Sequence, residues 1–352
     1  MNHTLLLALG AVALHGCARS PGEEPARPAP PPVEAAQLRA PFHPAPVAQA
    51  ASRPVDTEAQ VSLGHKLFFD ARLSKNHDIS CNSCHNLATF GVDNKALSDG
   101  HRGQKGTRNS PTVYNAAGHI AQFWDGRAPT LEVQAEGPLF NPVEMALPDE
   151  QRLIATLSSM PGYTRHFQRA FPGEKRPVSP DNVVRAIAAF ERQLTTPSRF
   201  DTFLGGEEGA LTAQERRGLE LFVSTGCTTC HNGPAVGGTS FQKLGLVKDW
   251  PVLEDAGRFE VTKREEDRAK FRVPTLRNVD QTGPYLHDGS IQALPEMVRL
   301  MAKHQLGKEL AEPQVEDVVA FLKSLTGELP QRYLPPPELP PSTPKTPSPD
   351  PS

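Results

Sequence analysis

Cys81-Asn82-Ser83-Cys84-His85 and Cys227-Thr228-Thr229-Cys230-His231 are two copies of one pattern, Cys-X-X-Cys-His, and they decide how the rest of the chain folds. Two cysteines three residues apart can form thioethers to the two vinyl groups of one haem, and the histidine that follows offers its imidazole to the iron. Two copies therefore predict two covalently attached c-type haems. A zinc knuckle or a redox dithiol also uses Cys-X-X-Cys, but neither requires the trailing histidine. Zinc knuckles also pair a few tens of residues apart, whereas Cys227 follows Cys81 by 146 residues. Haem accounts for four of the five cysteines.

The fifth, Cys17, follows a short apolar run from Leu5 to Leu14, long enough for a signal peptide and too short to span a bilayer. Leu14-His15-Gly16-Cys17 resembles a bacterial lipobox, although His15 is unusual there and no Lys or Arg precedes the run. The expectation is a lipoprotein-type signal peptide over 1–16 and a lipid anchor on Cys17. The alternative is a plainly cleaved protein with a free thiol. Because c-type haem is attached outside the cytoplasm, the expected location is the periplasm of a Gram-negative bacterium. Residues 17–55 read as a Pro/Ala-rich tether and residues 330–352 as a Pro-rich disordered tail, both too poor in bulky apolar groups to offset their ordering entropy. Roughly 275 residues remain, enough for two domains. A net charge of −3 argues against a nucleic-acid partner.

Within that core the halves repeat. Thr57-X-X-Gln60 and Thr212-X-X-Glu215 read as capping boxes, each opening a helix that carries Gly-X-X-Leu-Phe, at Gly64 to Phe68 and Gly218 to Phe222. A haem motif follows each. Pro111-Thr112 then aligns with Pro274-Thr275, Trp124-Asp125-Gly126 with His287-Asp288-Gly289, and Leu131 with Leu294, all at an offset of 163 residues. Apolar helices are expected around Val183 to Leu194 and Val315 to Leu325. Strand signals are sparse. The fold class is therefore all-α, with two cytochrome c-like domains, 56–205 and 206–329, each wrapped around one haem.

These motifs resemble the bacterial dihaem cytochrome c peroxidases, a family that includes the MauG-type enzymes, from about residue 56 to residue 330. The resemblance implies a peroxidatic N-terminal haem held by Cys81, Cys84 and His85, and an electron-accepting C-terminal haem held by Cys227, Cys230 and His231. Met301 matches the family's methionine ligand to the second iron, with Met297 one helical turn earlier as the other candidate; a methionine ligand raises haem potential and saturates the iron. At the repeat offset Met301 falls on Pro138, which cannot ligate iron. Gln134 and Glu144 match the family's peroxide pocket, Glu144 as proton carrier and Gln134 as a hydrogen-bonding group. His101 matches a distal histidine of the resting enzyme, on a glycine-flanked loop; the bland alternative is a surface histidine. Trp124 matches the tryptophan between the haems and His287 a propionate contact. Asn109, with the carbonyls of Thr282 and Pro284, matches an interdomain calcium site.

The implied reaction is reduction of hydrogen peroxide to water, with electrons from a small periplasmic cytochrome c or cupredoxin. Family members are commonly dimers, so a homodimer is an expected partner state, for which the chain carries no separate motif. Three other readings stay open, one of them a protein that senses peroxide and does not clear it. A MauG-like oxidase of a protein substrate shares the architecture but would favour Tyr over Met301. A dihaem electron carrier would need a strong ligand on both irons and no acid–base pocket.

Overall fold

The helices start where the local chemistry stops the chain from doing anything else. In the computed structural model, which describes Met1, residues 34–44 and residues 56–352, both expected capping boxes form. The Gln60 amide N–H donates to Thr57 Oγ1 at 3.2 Å and the Thr57 N–H to Gln60 Oε1 at 2.9 Å. The Glu215 N–H donates to Thr212 Oγ1 at 3.2 Å and the Thr212 N–H to Glu215 Oε2 at 2.8 Å. Each box satisfies two of the backbone donors that a helix start leaves free.

In chain order the helices are α1 (Ala35–Arg39), α2 (Glu58–Phe69), α3 (Cys81–Cys84), α4 (Leu131–Phe140), α5 (Glu150–Ser158) and α6 (Pro161–Ala170). They are followed by α7 (Pro180–Glu191), α8 (Arg199–Leu204), α9 (Ala213–Thr225), α10 (Phe259–Thr262), α11 (Leu294–Leu306) and α12 (Glu312–Ser324). One departure from an all-α reading is a short antiparallel ribbon, β1 (Phe241–Lys243) with β2 (Lys270–Arg272), in register Phe241 to Arg272.

Each half is framed by two crossed helices, α2 with α7 and α9 with α12. Gly64 and Gly218 mark the crossings. A Cβ on Gly64 would lie 1.9 Å from the Ala186 carbonyl oxygen, and one on Gly218 would lie 1.8 Å from that of Asp317. Only glycine lets the helix backbones approach so closely. The apolar stripes expected on the closing helices are buried, Val183, Ile187 and Phe190 on α7 and Val315, Phe321 and Leu322 on α12.

The 163-residue repeat is also a repeat of backbone geometry, and it continues across the seam. The bridge Gln122 to Ala128 recurs as Tyr285 to Ile291. The Asn109 N–H donates to the His287 carbonyl at 2.6 Å, and its counterpart, the Arg272 N–H, donates to the Trp124 carbonyl at 2.7 Å. Asn115 and Asn278, both left-handed with φ of 61° and 62°, donate to the same Thr196 hydroxyl at 2.8 and 2.9 Å. The halves are thus stitched by pseudo-twofold pairs, and residues 34–352 form one unit. Arg277, fully buried, adds a bidentate pair to Asp201 on α8.

Two expectations for the flanking segments are corrected. Part of the presumed extended tether is helical: in α1, Leu38 is fully buried, and beyond it Phe42 packs edge-on to Phe200 at 5.1 Å. Residues 34–44 are anchored by these two apolar residues and by polar contacts, Arg39 Nε–H to the Phe203 carbonyl and the Gly233 N–H to the Pro41 carbonyl, both at 2.9 Å. The tail expected to be disordered instead lies along the N-terminal half. Tyr333 is buried edge-on to Phe190 at 5.1 Å. Beyond it, carbonyls of the tail accept from side chains: Arg72 to Pro340 at 2.9 Å, Lys75 to Ser352 at 2.7 Å, and Arg152 to Ser348. Proline donates no hydrogen bond but its carbonyl accepts, and its restricted unfolded state lowers the entropy lost on docking. The donors sit on the opposing surface, where a reading of the tail's own composition does not look. Cys17 and most of the expected signal peptide lie outside the described residues.

Candidate functional site

Each Cys-X-X-Cys-His motif winds into one helical turn. The His85 N–H donates to the Cys81 carbonyl at 2.9 Å, and the His231 N–H to the Cys227 carbonyl at 3.0 Å. Positions i, i+3 and i+4 of such a turn share a face, so two thiols and an imidazole point the same way. No disulfide closes either pair, so all four sulfurs remain for thioethers. Burial raises them, Cys81 to about 12 and Cys227 to about 11, so they are neutral thiols. Among the described residues no three His, Cys, Asp or Glu side chains converge as a metal cage, which is not the arrangement of a zinc knuckle.

The two imidazoles are alike half-buried. Burial lowers both, His231 to about 4, which keeps the ring neutral with a lone pair available for iron. The backbone carbonyls of Gly91 and Pro111 lie near the His85 ring, and those of Val236 and Pro274 near His231. Neither Nδ1 completes a well-formed hydrogen bond. Pro111 and Pro274 are repeat counterparts, so the two rings have equivalent backbone surroundings.

The C-terminal motif opens on a large, mostly apolar cavity. Cys227, Cys230 and His231 line it together with Met297 and Met301 of α11, so both candidate methionines face the space that a haem would fill. Met301 also packs against Trp124, Leu244 and Phe271. Trp124 and His287 line the cavity at the seam, their rings 6.4 Å apart, and the Trp124 indole N–H donates to the Asn109 carbonyl at 2.9 Å. The His287 ring stacks on Phe271 at 4.3 Å, with Nε2 3.9 Å from Asp255. Asp255 is itself held by Arg108, which also pairs with Asp125. Asn109, Thr282 and Pro284 all line the same cavity, and Asn109 Nδ2 donates to the Lys95 carbonyl at 2.9 Å.

The N-terminal motif has a different neighbour. Glu144 is half-buried, and its charge adds a little to burial, the main cause, in pushing the Cys81 and Cys84 thiols up. It lines a pocket with Asn141, Pro138, Gly137, Val133, Ala128, Arg127 and Phe123. Burial raises the Glu144 carboxyl, opposed by the charge of Arg127 and by Asn141 Nδ2, which donates to Oε1 at 2.9 Å. Pro138, the counterpart of Met301, faces this pocket. Gln134 is half-buried one turn earlier on α4 and is not part of the lining.

His101 is buried, and its backbone N–H donates to the Val143 and Glu144 carbonyls at 3.1 and 2.9 Å. Its loop is therefore tied to the Glu144 loop. The ring is turned to the tail, with Nε2 3.1 Å from the Ser352 carbonyl oxygen, as donor. Sequence reasoning did not single out Arg127, Asn141, His119 or Arg272. The repeat offset would have flagged the last two as partners of Thr282 and Asn109.

The family model for di-haem cytochrome c peroxidases matches residues 58–209. The chain is 49% identical over 320 residues to the cytochrome c551 peroxidase of Pseudomonas aeruginosa, covering 89% of this chain and 91% of that one. It is 48% identical to the cytochrome c551 peroxidase of Nitrosomonas europaea, covering 81% and 84%. Among solved structures, a MauG-like protein associated with microbial copper homeostasis superposes with a TM-score of 0.73 at 30% identity, over 83% of this chain and 98% of that one.

Proposed function

Because the chain belongs to the di-haem cytochrome c peroxidase family and is an enzyme of the cytochrome-c peroxidase class, EC 1.11.1.5, we propose that it reduces hydrogen peroxide at a haem held by Cys81, Cys84 and His85. Electrons from a small cytochrome c or cupredoxin enter at a second haem, held by Cys227, Cys230, His231 and Met301. Both haems are covalent, and each is wrapped by its own half of the chain.

When bound, the haems supply the redox chemistry, cleavage of the O–O bond at one iron and acceptance of electrons at the other. The protein supplies the proton path. Reduction of hydrogen peroxide to two waters consumes two electrons and two protons. Glu144 takes the proton from the proximal peroxide oxygen and gives it to the departing one, so that water leaves instead of hydroxide. Asn141 fixes the carboxylate that does this, Arg127 holds it in reach of its ionised form, and Gln134 orients peroxide from the next turn of α4. Trp124 bridges the seam toward the C-terminal cavity. Calcium is assigned to the Asn109 side chain with the Thr282 and Pro284 carbonyls, and Cys17 to a lipid anchor in the periplasm.

One observation carries this reading: Glu144, its carboxyl raised by burial, lies within electrostatic reach of Cys81 and Cys84 and lines a pocket with Pro138, the repeat counterpart of Met301. A pure electron carrier has no use for such a carboxyl. Steady-state peroxide turnover with reduced cytochrome c tests it, comparing wild type with Glu144→Ala at equal haem content. Turnover lost in the variant alone supports the assignment. A wild type without turnover, oxidised or half-reduced, sinks it.

A further inference from the structure

The wall of the C-terminal cavity carries polar atoms that the chain itself leaves unused. Arg272, at the end of β2, is 2% exposed. Its Nε donates to the Phe123 carbonyl at 3.3 Å, but Nη1 is buried and makes no hydrogen bond. Among the described residues no carboxylate pairs with it, whereas the other fully buried arginine, Arg277, has Asp201. His119 reaches the same cavity from the other half of the chain, and both its ring nitrogens are buried without a partner. The ring rests against Gly238, where a Cβ would come within 2.3 Å of Cδ2, so it has little room to turn elsewhere. Burial, and then the nearby charge of Arg272, hold it well below its ordinary pKa, as a neutral imidazole with one N–H to donate.

A buried guanidinium without a counter-charge is strongly unfavourable, and buried polar groups are normally satisfied. An apolar cavity with a few convergent unsatisfied donors is the form of a site for an apolar ligand bearing an anionic end. A haem is such a ligand, with carboxylates on one edge. On the reading that a haem is attached at Cys227 to His231, we propose that Arg272 and His119 hold a propionate of that haem, the guanidinium Nη1–H and the imidazole N–H donating to its carboxylate oxygens. His287 lines the same cavity, but its Nε2 already faces Asp255. The pair therefore spans the seam, one donor from each half, and anchors the edge of the haem next to Trp124, whose carbonyl accepts from the Arg272 N–H.

The functional consequence is electrostatic. A fixed positive charge beside the macrocycle favours the reduced over the oxidised haem, so Arg272 raises the potential of the electron-entry centre. His119 positions the propionate.

The test uses the full-length holoprotein, with Arg272→Met, Arg272→Lys and His119→Leu, after two haems per chain have been confirmed. The midpoint potential of each haem is read by spectroelectrochemistry. Arg272→Met is expected to shift the ferric/ferrous equilibrium of the C-terminal haem about tenfold toward ferric, about 59 mV lower for one electron. Arg272→Lys should keep most of the wild-type value, and the N-terminal haem should not move. An unmoved C-terminal potential, or equal shifts at both haems, overturns the assignment. Should the variants not fold, a crystal structure of the wild-type holoprotein decides: a propionate oxygen within hydrogen-bond reach of Arg272 Nη1 or His119 supports it, and propionates directed elsewhere overturn it. A holoprotein without haem at Cys227 to His231 would instead refute the underlying reading.

Discussion

Replacing Glu144 by Gln changes one thing in the pocket proposed to take peroxide. The amide keeps the shape of the carboxyl, and its Oε1 still accepts from Asn141, so the geometry that holds it at 2.9 Å survives. Only the ability to carry a proton is removed. General acid–base catalysis contributes roughly a hundred- to ten-thousandfold, about 3–5 kcal/mol of barrier. The pocket decides where in that range the loss falls. Its other lining side chains are Phe123, Arg127, Ala128, Val133, Pro138 and Asn141, none of which exchanges a proton near neutral pH, and the His101 ring is turned to the tail. No substitute stands ready, so Glu144→Gln should lose turnover toward the upper end. Arg127 supplies a second, independent arm. Its charge lowers the Glu144 carboxyl against the upward push of burial, so Arg127→Leu should raise that pKa and move the acid limb of the kcat/KM profile to higher pH. The assay is stopped-flow or steady-state peroxide turnover from acid to neutral pH, with haem content matched. Turnover of the Gln variant within about threefold of wild type would refute the role of Glu144, since the acid–base contribution it removes is at least a hundredfold. An acid limb unmoved or lowered by Arg127→Leu would refute the electrostatic argument.

Gly64→Ala and Gly218→Ala each place a methyl inside a backbone carbonyl across a helix crossing, and each should lower stability by about 1–3 kcal/mol in thermal melts with haem retained; an unchanged Tm would show that the crossings yield freely. Deleting residues 335–352 removes the tail carbonyls that accept from Arg72, Lys75, Arg152 and His101. The expected result is a loss on the order of 2 kcal/mol, with faster hydrogen exchange around 72–77 and 100–104; unchanged exchange there would contradict the docked tail. Glu191 is fully buried, with its carboxyl raised from 4.5 to about 8 by burial first and Glu132 next, against Arg192. A raised folded pKa gives stability that is full below the unfolded value and lost as pH rises through about 8. Glu191→Gln should therefore flatten the decline in Tm between pH about 4.5 and 8, and a decline as steep as that of wild type would exclude Glu191 as its source.

What the sequence makes legible is whatever is written locally. The haem motifs, the capping boxes at Thr57 and Thr212, the glycines at the crossings and the offset joining Leu131 to Leu294 each depend on residues a few positions apart or on self-similarity. α4 and α11 begin at those two leucines. What escaped depends on what lies across from a residue. The tail reads as disordered because its own composition cannot bury much; its partners are basic side chains of the other half. Arg272 carries no signal of its own until its burial without a carboxylate is seen. The ribbon of β1 and β2 is three residues per strand, too short for alternation to register. His101 was read from resemblance as a loop residue over iron, and only the structure places the Ser352 carbonyl against its Nε2.

The pseudo-twofold also explains how one duplicated frame carries two chemistries. Asn109 and Arg272 are counterparts, and their backbone N–H groups make the equivalent bonds to His287 and Trp124. Thr282 and His119 are counterparts in the same sense. The seam thus holds the same cross-half pair twice. In one copy Asn109 and Thr282 offer oxygens, the donor set proposed here for calcium; in the other Arg272 and His119 offer only N–H groups, the set proposed for a carboxylate. The same divergence separates Met301 from Pro138: one half places a thioether over its cavity, and the other leaves that position to a residue that cannot ligate and puts Glu144 beside it. On the function proposed above, substitutions at symmetric positions, on an unchanged backbone, would make one haem site a saturated electron acceptor beside a positive charge and the other an open site with a proton carrier. Exchanging the pair, with Asn109→Arg and Arg272→Asn together, should therefore preserve the fold by circular dichroism while lowering the potential of the C-terminal haem and abolishing any calcium dependence of turnover. A double variant that keeps both properties would show that the seam does not set them.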